Sequence, residues 1–369
     1  MQYRELGDSG VEVSEVGFGA WVVGTDWWGD RDEDDALEMI DAALDAGITY
    51  FDTGDVYGHG RSEELLGKAF EGRRDEAVIA TKVGYDFYNN PQAGHGELPK
   101  EMDAEYLEGA VEQSLDRLDT DYVDYLQLHN PDVQELTPAV LELLDELRED
   151  GRADAIGVAL GPSIGWLAEG DFAIEQEFDA VQYVGNMLEQ DVHRHFVETI
   201  RHTGASTSLI PRVPHSSGLL NEQVTPETEL DAGDHRGFRP DEWYETGWEK
   251  VDALRFLERA ERSSAENSSG DEPRERDGER TMAQAAIQWL LSFDEVASVT
   301  PTFRSEADIR EWSAAPDTPA LSDDEQERVA DLYADNFGVD RFDGMSTDDY
   351  RTSVDGDDLR DAGLIGSAD

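Results

Sequence analysis

Short, nearly unbroken apolar runs alternate along this chain with longer stretches in which apolar residues recur every three or four positions. The short runs occupy residues 16–19, 48–51, 77–81, 123–128, 155–158, 180–183, 206–210 and 296–300. A strand covered on both faces reads as a continuous apolar run, so each is a candidate buried parallel strand. Between them lie helical stripes. Ala36, Ile40, Ala43 and Leu44 mark one, stopped by Gly47. Leu107, Val111, Leu115 and Leu118 mark a second, and Leu141, Leu144 and Leu147 a third, opened by Pro138 and closed by Gly151. Val192, Phe196 and Ile200, then Val251, Leu254 and Leu257, and finally residues 283–291 continue the series. Ahead of the first run, Tyr3 and Arg4, the turn Gly7-Asp8-Ser9-Gly10, and the alternation of Val11 and Val13 predict a β-hairpin. Strand–helix units repeated in this way predict an α/β fold, a closed (β/α)8 barrel behind an N-terminal hairpin.

Two stretches break the rhythm. Residues 261–280 are polar, with Ser, Gly and Pro, and read as an insertion between two helices. Residues 340–369 are acidic and weakly apolar, a C-terminal extension. The domain expectation is therefore a single barrel over 1–339 followed by the extension 340–369. A TIM barrel takes about 250 residues, more with insertions, which the 369 residues accommodate.

Charge changes the picture more than length does. The chain carries 86 acidic and 29 basic residues, a formal net charge of -57. Such a surface repels phosphate backbones, so no nucleic-acid partner is expected. The acids are spread through every predicted helix rather than gathered in a tail, which points to life in a salt-rich cytoplasm where repulsion is screened. No apolar run is long enough to span a membrane, and the N-terminus lacks signal-peptide features, so the expectation is a soluble cytoplasmic protein. Cysteine is absent, which excludes disulfides and thiolate metal sites. His193 and His195 flank Arg194 without carboxylates at ligand spacing, and are read as surface residues rather than a metal site.

The candidate chemistry sits where the strands end. Asp52 follows the second run, Lys82 ends the third, His129 follows the fourth, and Tyr57 lies in the loop after Asp52. Parallel strands in a barrel put all their C-terminal ends on one face, so these four converge. Their types make one chemistry. A carbonyl reduced to an alkoxide needs a proton, which a phenol can supply. A nearby ammonium favours the phenolate, a carboxylate keeps a buried ammonium charged, and an imidazole can orient the carbonyl oxygen. Each residue alone is more often a cap, a packed ring or a satisfied core group; their joint placement on one rim carries the reading.

At these residues the chain resembles the aldo-keto reductase family. FDTGDVYGHGRSEELLGKAF (51–70), VIATKVG (78–84) and LQLHNPD (126–132) are similar to three successive family blocks, and QAAIQWLL (284–291) resembles the helix before the last strand. The likeness extends over roughly residues 1–335 and suggests a haloarchaeal-type member. It implies Tyr57 as general acid/base, Lys82 and Asp52 tuning it, and His129 positioning the carbonyl. It also implies a nicotinamide dinucleotide bound without a Rossmann fold, NADPH first and NADH as the alternative. Gly19, Ala20 and Trp21 then match the turn after the first strand, with Trp21 walling the substrate pocket. Asp52 also lines the cofactor, and Gln182 matches the partner of the nicotinamide amide. RVPHSSGLL (212–220) resembles a cofactor loop, bringing in Arg212, Val213, Pro214, Ser216, Gly218 and Leu219. Arg212 stands where an aromatic usually stacks on nicotinamide, and an arginine plane can stack there too. GVALG (157–161) departs from the family's Gly-Val-Ser-Asn and loses its side-chain amide contacts. PTFRSEADIREW (301–312) resembles the adenosine site, with Arg304 and Ser305 toward a 2′-phosphate, and Asp308 and Trp312 departing from the usual Arg or Gln and Asn.

The implied substrate is a small-molecule carbonyl or sugar. Trp21, Trp27, Trp28, Tyr85 and Phe87 suggest an aromatic-walled pocket for it. The resemblance leaves one rival open, a non-catalytic dinucleotide-binding regulatory subunit like potassium-channel β subunits, and leaves the oligomeric state open. FDTG (51–54) also occurs in aspartic proteases, but those need two such carboxylates and all-β lobes. A Rossmann reading fails because GFGAWVVG (17–24) lacks the third glycine at the right spacing, and no helix is expected directly after it.

Overall fold

The computed structural model describes residues 1–25, 31–90, 98–161, 166–229, 241–258 and 280–339. Trp27 and Trp28, the insertion except its last residue, and the whole 340–369 extension lie outside the described residues.

A hairpin of β1 (Tyr3–Glu5) and β2 (Glu12–Ser14) opens the chain, as its alternation predicts. The strands of the main sheet are β3 (Phe18–Gly19), β4 (Tyr50–Asp52), β5 (Val78–Val83), β6 (Val123–His129), β7 (Ala153–Ala159), β8 (Ala180–Val184) and β9 (Ser208–Arg212). They pair in sequence order, all parallel, as a seven-stranded curled sheet. The helices are α1 (Trp21–Gly24), α2 (Glu33–Asp45), α3 (Arg61–Ala69), α4 (Ala104–Leu118), α5 (Pro138–Glu149), α6 (Leu167–Glu175), α7 (Asp191–Thr203), α8 (Asp241–Leu254), α9 (Met282–Leu291), α10 (Glu306–Trp312) and α11 (Asp323–Ala334). Their starts are written in the sequence. Asp32 and Thr137 accept N-cap hydrogen bonds from Asp35 and Val140, and Thr281 with Gln284 forms a capping box.

The eighth apolar run departs from expectation. Residues 296–300 make no regular strand, only isolated parallel bridges, Leu209 with Val296 and Arg212 with Thr300 on one side, Val16 with Val299 on the other. The sequence supplies a reason. Leu209 donates to Glu295 O and accepts from Ala297 N, but the next donor on β9 in this register belongs to Pro211, which has no N–H to give. The segment still touches both edges of the sheet, with Gly17 N–H donating to Val299 O.

Two apolar regions fill the structure. The larger lies between the sheet and its helices. The smaller joins inward residues of successive strands, Tyr50, Ala80, Tyr125, Ala155, Ala180 and Ile210, with Leu6 and Val13 of the hairpin. Large and small side chains interlock here: a Cβ on Gly157 would meet both Ala180 O and Tyr125 Oη at 2.2 Å. Arg4 fastens the hairpin, donating to Val296 O at 2.6 Å, Leu291 O at 2.9 Å and Glu15 Oε1 at 2.7 Å.

Of the two histidines of α7 expected on the surface, His193 is not there, whereas His195 is partly exposed. His193 is fully buried among Tyr183, Trp289 and Phe293, its Nδ1 sharing a 2.5 Å hydrogen bond with Tyr183 Oη. His195 does have a carboxylate partner, Asp171 on α6, at 2.8 Å. Charge spacing in one helix says nothing about the neighbour packed against it. No group of metal-ligating residues occurs among the described residues.

Candidate active site

Sheet register gathers the rim. Gly19 pairs with Asp52, Lys82 with Gln127, His129 with Ala159, and Ala159 with Gln182. The three residues singled out at the strand ends, Asp52, Lys82 and His129, therefore occupy neighbouring C-terminal positions, with Tyr57 brought over them by its loop. That loop is tightly held. Tyr57 N–H donates to Gly54 O at 3.0 Å, and Ser62 at the start of α3 bonds both Thr53 and Ala20 O. Gly58 has φ +61°, and a Cβ there would lie 2.0 Å from Gly24 O, so only glycine lets the loop pass the turn after β3.

Asp52 is the hub. Its Oδ2 receives Lys82 Nζ at 2.7 Å, and its Oδ1 receives Gln182 Nε2 at 2.9 Å and Gln127 Nε2 at 3.0 Å. Lys82, buried completely, also donates to Thr53 O at 2.6 Å. A buried charge pair is stable only when its remaining hydrogen-bonding capacity is met, and both partners are well supplied here. The Lys82 ammonium lies 4.9 Å from the centre of the Tyr57 ring, an electrostatically favourable cation–π distance.

His129 stands edge-on to two rings, Tyr57 at 5.7 Å and Tyr85 at 4.8 Å between centroids. Burial, then the positive charges of Lys82 and Arg212, hold it well below the usual imidazole range, so it is neutral near pH 7. Its Nδ1 has no hydrogen-bond partner. Trp21 lies 6.3 Å from Tyr57, tilted and half-buried. Phe87 is buried between His59 and Tyr88.

The residues assigned to a cofactor divide into two groups. Gln182 and Arg212 join the rim. Arg212 is half-buried at the end of β9 and donates to Leu160 O at 2.9 Å, with Tyr57, Asp52 and Tyr85 close enough to act on its charge. Behind it, Val213, Ser216 and Ser217 have φ of +60°, +47° and +54°. Left-handed backbone at three non-glycine residues, one of them β-branched, is costly and tends to persist at functional loops. Pro214, Gly218 and Leu219 are buried in the same loop. The 301–312 block lies against the first strand, Phe303 stacking on Phe18 at 5.8 Å. Ser305 caps α10, and Asp308 turns its carboxylate back onto the Arg304 N–H at 2.9 Å. Trp312 is buried between Phe303 and His215.

Sequence reading passed over Gln127 and Tyr50, which complete the Asp52 hub, and the buried Asp55, whose backbone N–H donates to Lys82 O. Gln127 had a signal, a lone amide inside an apolar strand run, LQLH.

A parallel sheet whose rim joins a buried Asp–Lys pair, an overlying tyrosine and a neutral histidine defines an α/β protein with a candidate catalytic site at its strand ends. The chain belongs to the aldo/keto reductase family, whose model matches residues 15–334. It is similar to the aldo-keto reductase YhdN of Bacillus subtilis, 32% identical over 301 residues, which are 79% of this chain and 81% of that protein. It is also similar to a probable voltage-gated potassium channel subunit beta of Arabidopsis thaliana, 28% identical over 87% of this chain and 93% of that one. Among solved structures, the holo form of aldo-keto reductase AKR11C1 from Bacillus halodurans superposes with a TM-score of 0.70 at 26% identity. The match covers 90% of this chain and 96% of that chain.

Proposed function

We propose that this protein is an NAD(P)H-dependent oxidoreductase that reduces an aldehyde or ketone carbonyl, or oxidises the corresponding alcohol, with Tyr57 as general acid/base. The observation that carries the reading is the single ammonium of Lys82, bonded to Asp52 and set under the Tyr57 ring. Placement of a cation there favours the phenolate form when the phenol gives up its proton. Neutral His129 orients the substrate oxygen through a ring nitrogen. Asp52 keeps Lys82 charged and fixed, and Gln127 and Gln182 keep Asp52 in place.

The residues present fit a nicotinamide dinucleotide. Buried polar atoms without partners cluster at the rim, His129 Nδ1, Asn130 Oδ1 and Thr300 Oγ1, and the donor set includes the half-buried Arg212 plane. When bound, the dinucleotide supplies the hydride. Gln182 would meet the nicotinamide amide and Arg212 the ring face. Gly19, Ala20 and Trp21 would pass beside it, and the loop of Val213, Pro214, Ser216, Gly218 and Leu219 would hold the phosphates. Arg304, Ser305, Asp308 and Trp312 would frame the adenosine end. Arg304 favours NADPH, and Asp308, turned onto a backbone amide, presents less of its charge to a 2′-phosphate. The same reading takes the bridged 296–300 segment as the eighth stave of a closed (β/α)8 barrel, the substrate as a carbonyl compound or sugar, and the setting as a halophile's cytoplasm.

A second reading has one specific support, the likeness to a plant protein named as a probable channel β subunit. The deciding experiment measures NADPH and NADH oxidation with aldehydes and sugars in multimolar KCl, for wild type and Tyr57→Phe. Turnover should fall by at least about a hundredfold in the variant while dinucleotide binding persists. Tight dinucleotide binding with no turnover in the wild type would favour the regulatory subunit instead.

A further inference from the structure

The region behind Lys82 holds one more carboxyl than its cations can serve. Asp55 is fully buried, and neither of its carboxyl oxygens has a hydrogen-bond partner. Its backbone N–H donates to Lys82 O at 3.1 Å, so the side chain springs from the same short segment that backs the lysine. The charged and titratable groups facing it are Lys82 on β5, Glu63 on α3, Arg117 and Tyr106 on α4, and Tyr88 after β5.

Every cation in that set is already engaged. Arg117 Nε donates to Glu63 Oε2 at 2.6 Å, and its Nη2 to Tyr88 Oη at 2.9 Å and Ser114 Oγ at 3.2 Å. The other Glu63 oxygen takes the Thr81 hydroxyl. Lys82 is divided between Asp52 and Thr53 O. Two cations thus serve the carboxyls of Asp52 and Glu63, and Asp55 is the third carboxyl, left without a side-chain partner. An ionised carboxylate in that position is undercompensated, and a proton removes the cost. Burial, then the nearby Glu63 charge, push the Asp55 carboxyl well above the usual carboxylate range, outweighing the opposing pull of Arg117, the Val56 backbone N–H and Lys82.

We propose that Asp55 is a positioning residue for proton transfer: as a neutral acid it leaves Lys82 on Asp52 and under Tyr57, and as an anion it competes for the ammonium and draws it away. Ionisation breaks the Asp55 O–H bond, delivers the proton to a solvent base and leaves the electron pair on the carboxylate; nothing is oxidised or reduced. The inference rests on the proposed roles of Lys82 and Tyr57, but its physical core can be read without turnover.

The chain has only four lysines, Lys68, Lys82, Lys100 and Lys250, so selective lysine isotope labelling with NMR detection gives few signals, and Lys82→Met assigns the one that matters. Wild type should show a pH-dependent step in the Lys82 side-chain signal above the ordinary carboxylate range, absent in Asp55→Asn. Difference infrared spectra of wild type against the variant should show a protonated carboxyl band on the acid side of that step that disappears across it. Turnover of the wild type should decline through that step by up to about a hundredfold, the lower end for lost proton transfer, with no such decline in Asp55→Asn. Loss of the protonated carboxyl band within the ordinary carboxylate range, or a Lys82 signal that titrates identically in both proteins, overturns the proposal. If Asp55→Asn does not fold, a Lys82 signal without a step in wild type overturns it alone. A wild type that shows the lysine step and the infrared band but turns over nothing defeats the enzymatic reading and leaves the buried acid standing.

Discussion

At the scale of single residues, Asp52 has the largest consequences for stability. Removing its carboxylate strands the buried Lys82 ammonium and leaves the amides of Gln127 and Gln182 without their acceptor. Breaking one partner out of a buried pair costs about 3–5 kcal/mol, whereas replacing both with apolar groups can cost far less. Asp52→Ala should therefore lower the denaturant midpoint strongly, and the double variant Asp52→Ala with Lys82→Met should recover part of the loss. Strictly additive losses in the double variant would show that the two groups are not coupled in the folded protein. The catalytic proposal for Tyr57 makes the opposite demand. Its ring is half-buried at the rim, so Tyr57→Phe should touch turnover while leaving the midpoint within about 1 kcal/mol.

Elements show where sequence reading reaches and where it stops. The seven regular strands were legible because strands covered on both faces must be apolar throughout, and the helix starts because caps are local chemistry. The strand-end positions of Asp52, Lys82 and His129 followed from the same periodicity. What was not legible depends on partners distant in sequence: the interruption opposite Pro211, the burial of Arg280 against Leu257 O and Pro319 O at the end of a polar insertion, and His193. That histidine makes a testable element-scale case. Burial holds it down to about 3, so it is neutral between β8 and α9. The unfolded chain takes up a proton near pH 6.5 and the folded chain does not. Stability contributed by the neutral ring is thus complete above about pH 6.5 and is lost progressively as pH falls toward the folded value. His193→Phe should lower stability at neutral pH, because Tyr183 Oη loses its partner, by about 1–3 kcal/mol. It should also flatten the decline between about pH 7 and about pH 5, above the carboxylate range. Parallel declines in the two proteins over that interval would contradict the burial of a neutral ring.

For the whole molecule, charge sets the condition under which all the preceding chemistry operates. A net charge of -57 acts against any compact state, because folding brings like charges closer together than the unfolded chain holds them. Ion pairs such as Arg201 with Glu295 and Lys68 with Glu33 are open to solvent, where each contributes little. With so few cations they leave most acids unpaired. Salt must then do what the sequence does not. The screening length falls from about 10 Å at 0.1 M to about 3 Å at 1 M. Thermal midpoints should therefore rise steeply as KCl is raised from about 0.1 M to about 1 M, and rise further, more slowly, in the molar range as the remaining repulsion is screened. The site should respond differently. Lys82 and Asp52 are bonded to each other out of contact with solvent, and buried pairs are screened far less than exposed ones. Once the protein is fully folded, further KCl should leave the Lys82 NMR signal unmoved while the midpoint continues to climb. A midpoint independent of KCl would show that the acids are locally compensated and would remove the case for a salt-rich setting. A Lys82 signal that drifts with KCl in the folded range would show that the rim is open to ions, and with it that the Asp–Lys pair is not the sealed unit on which the proton-transfer reading depends.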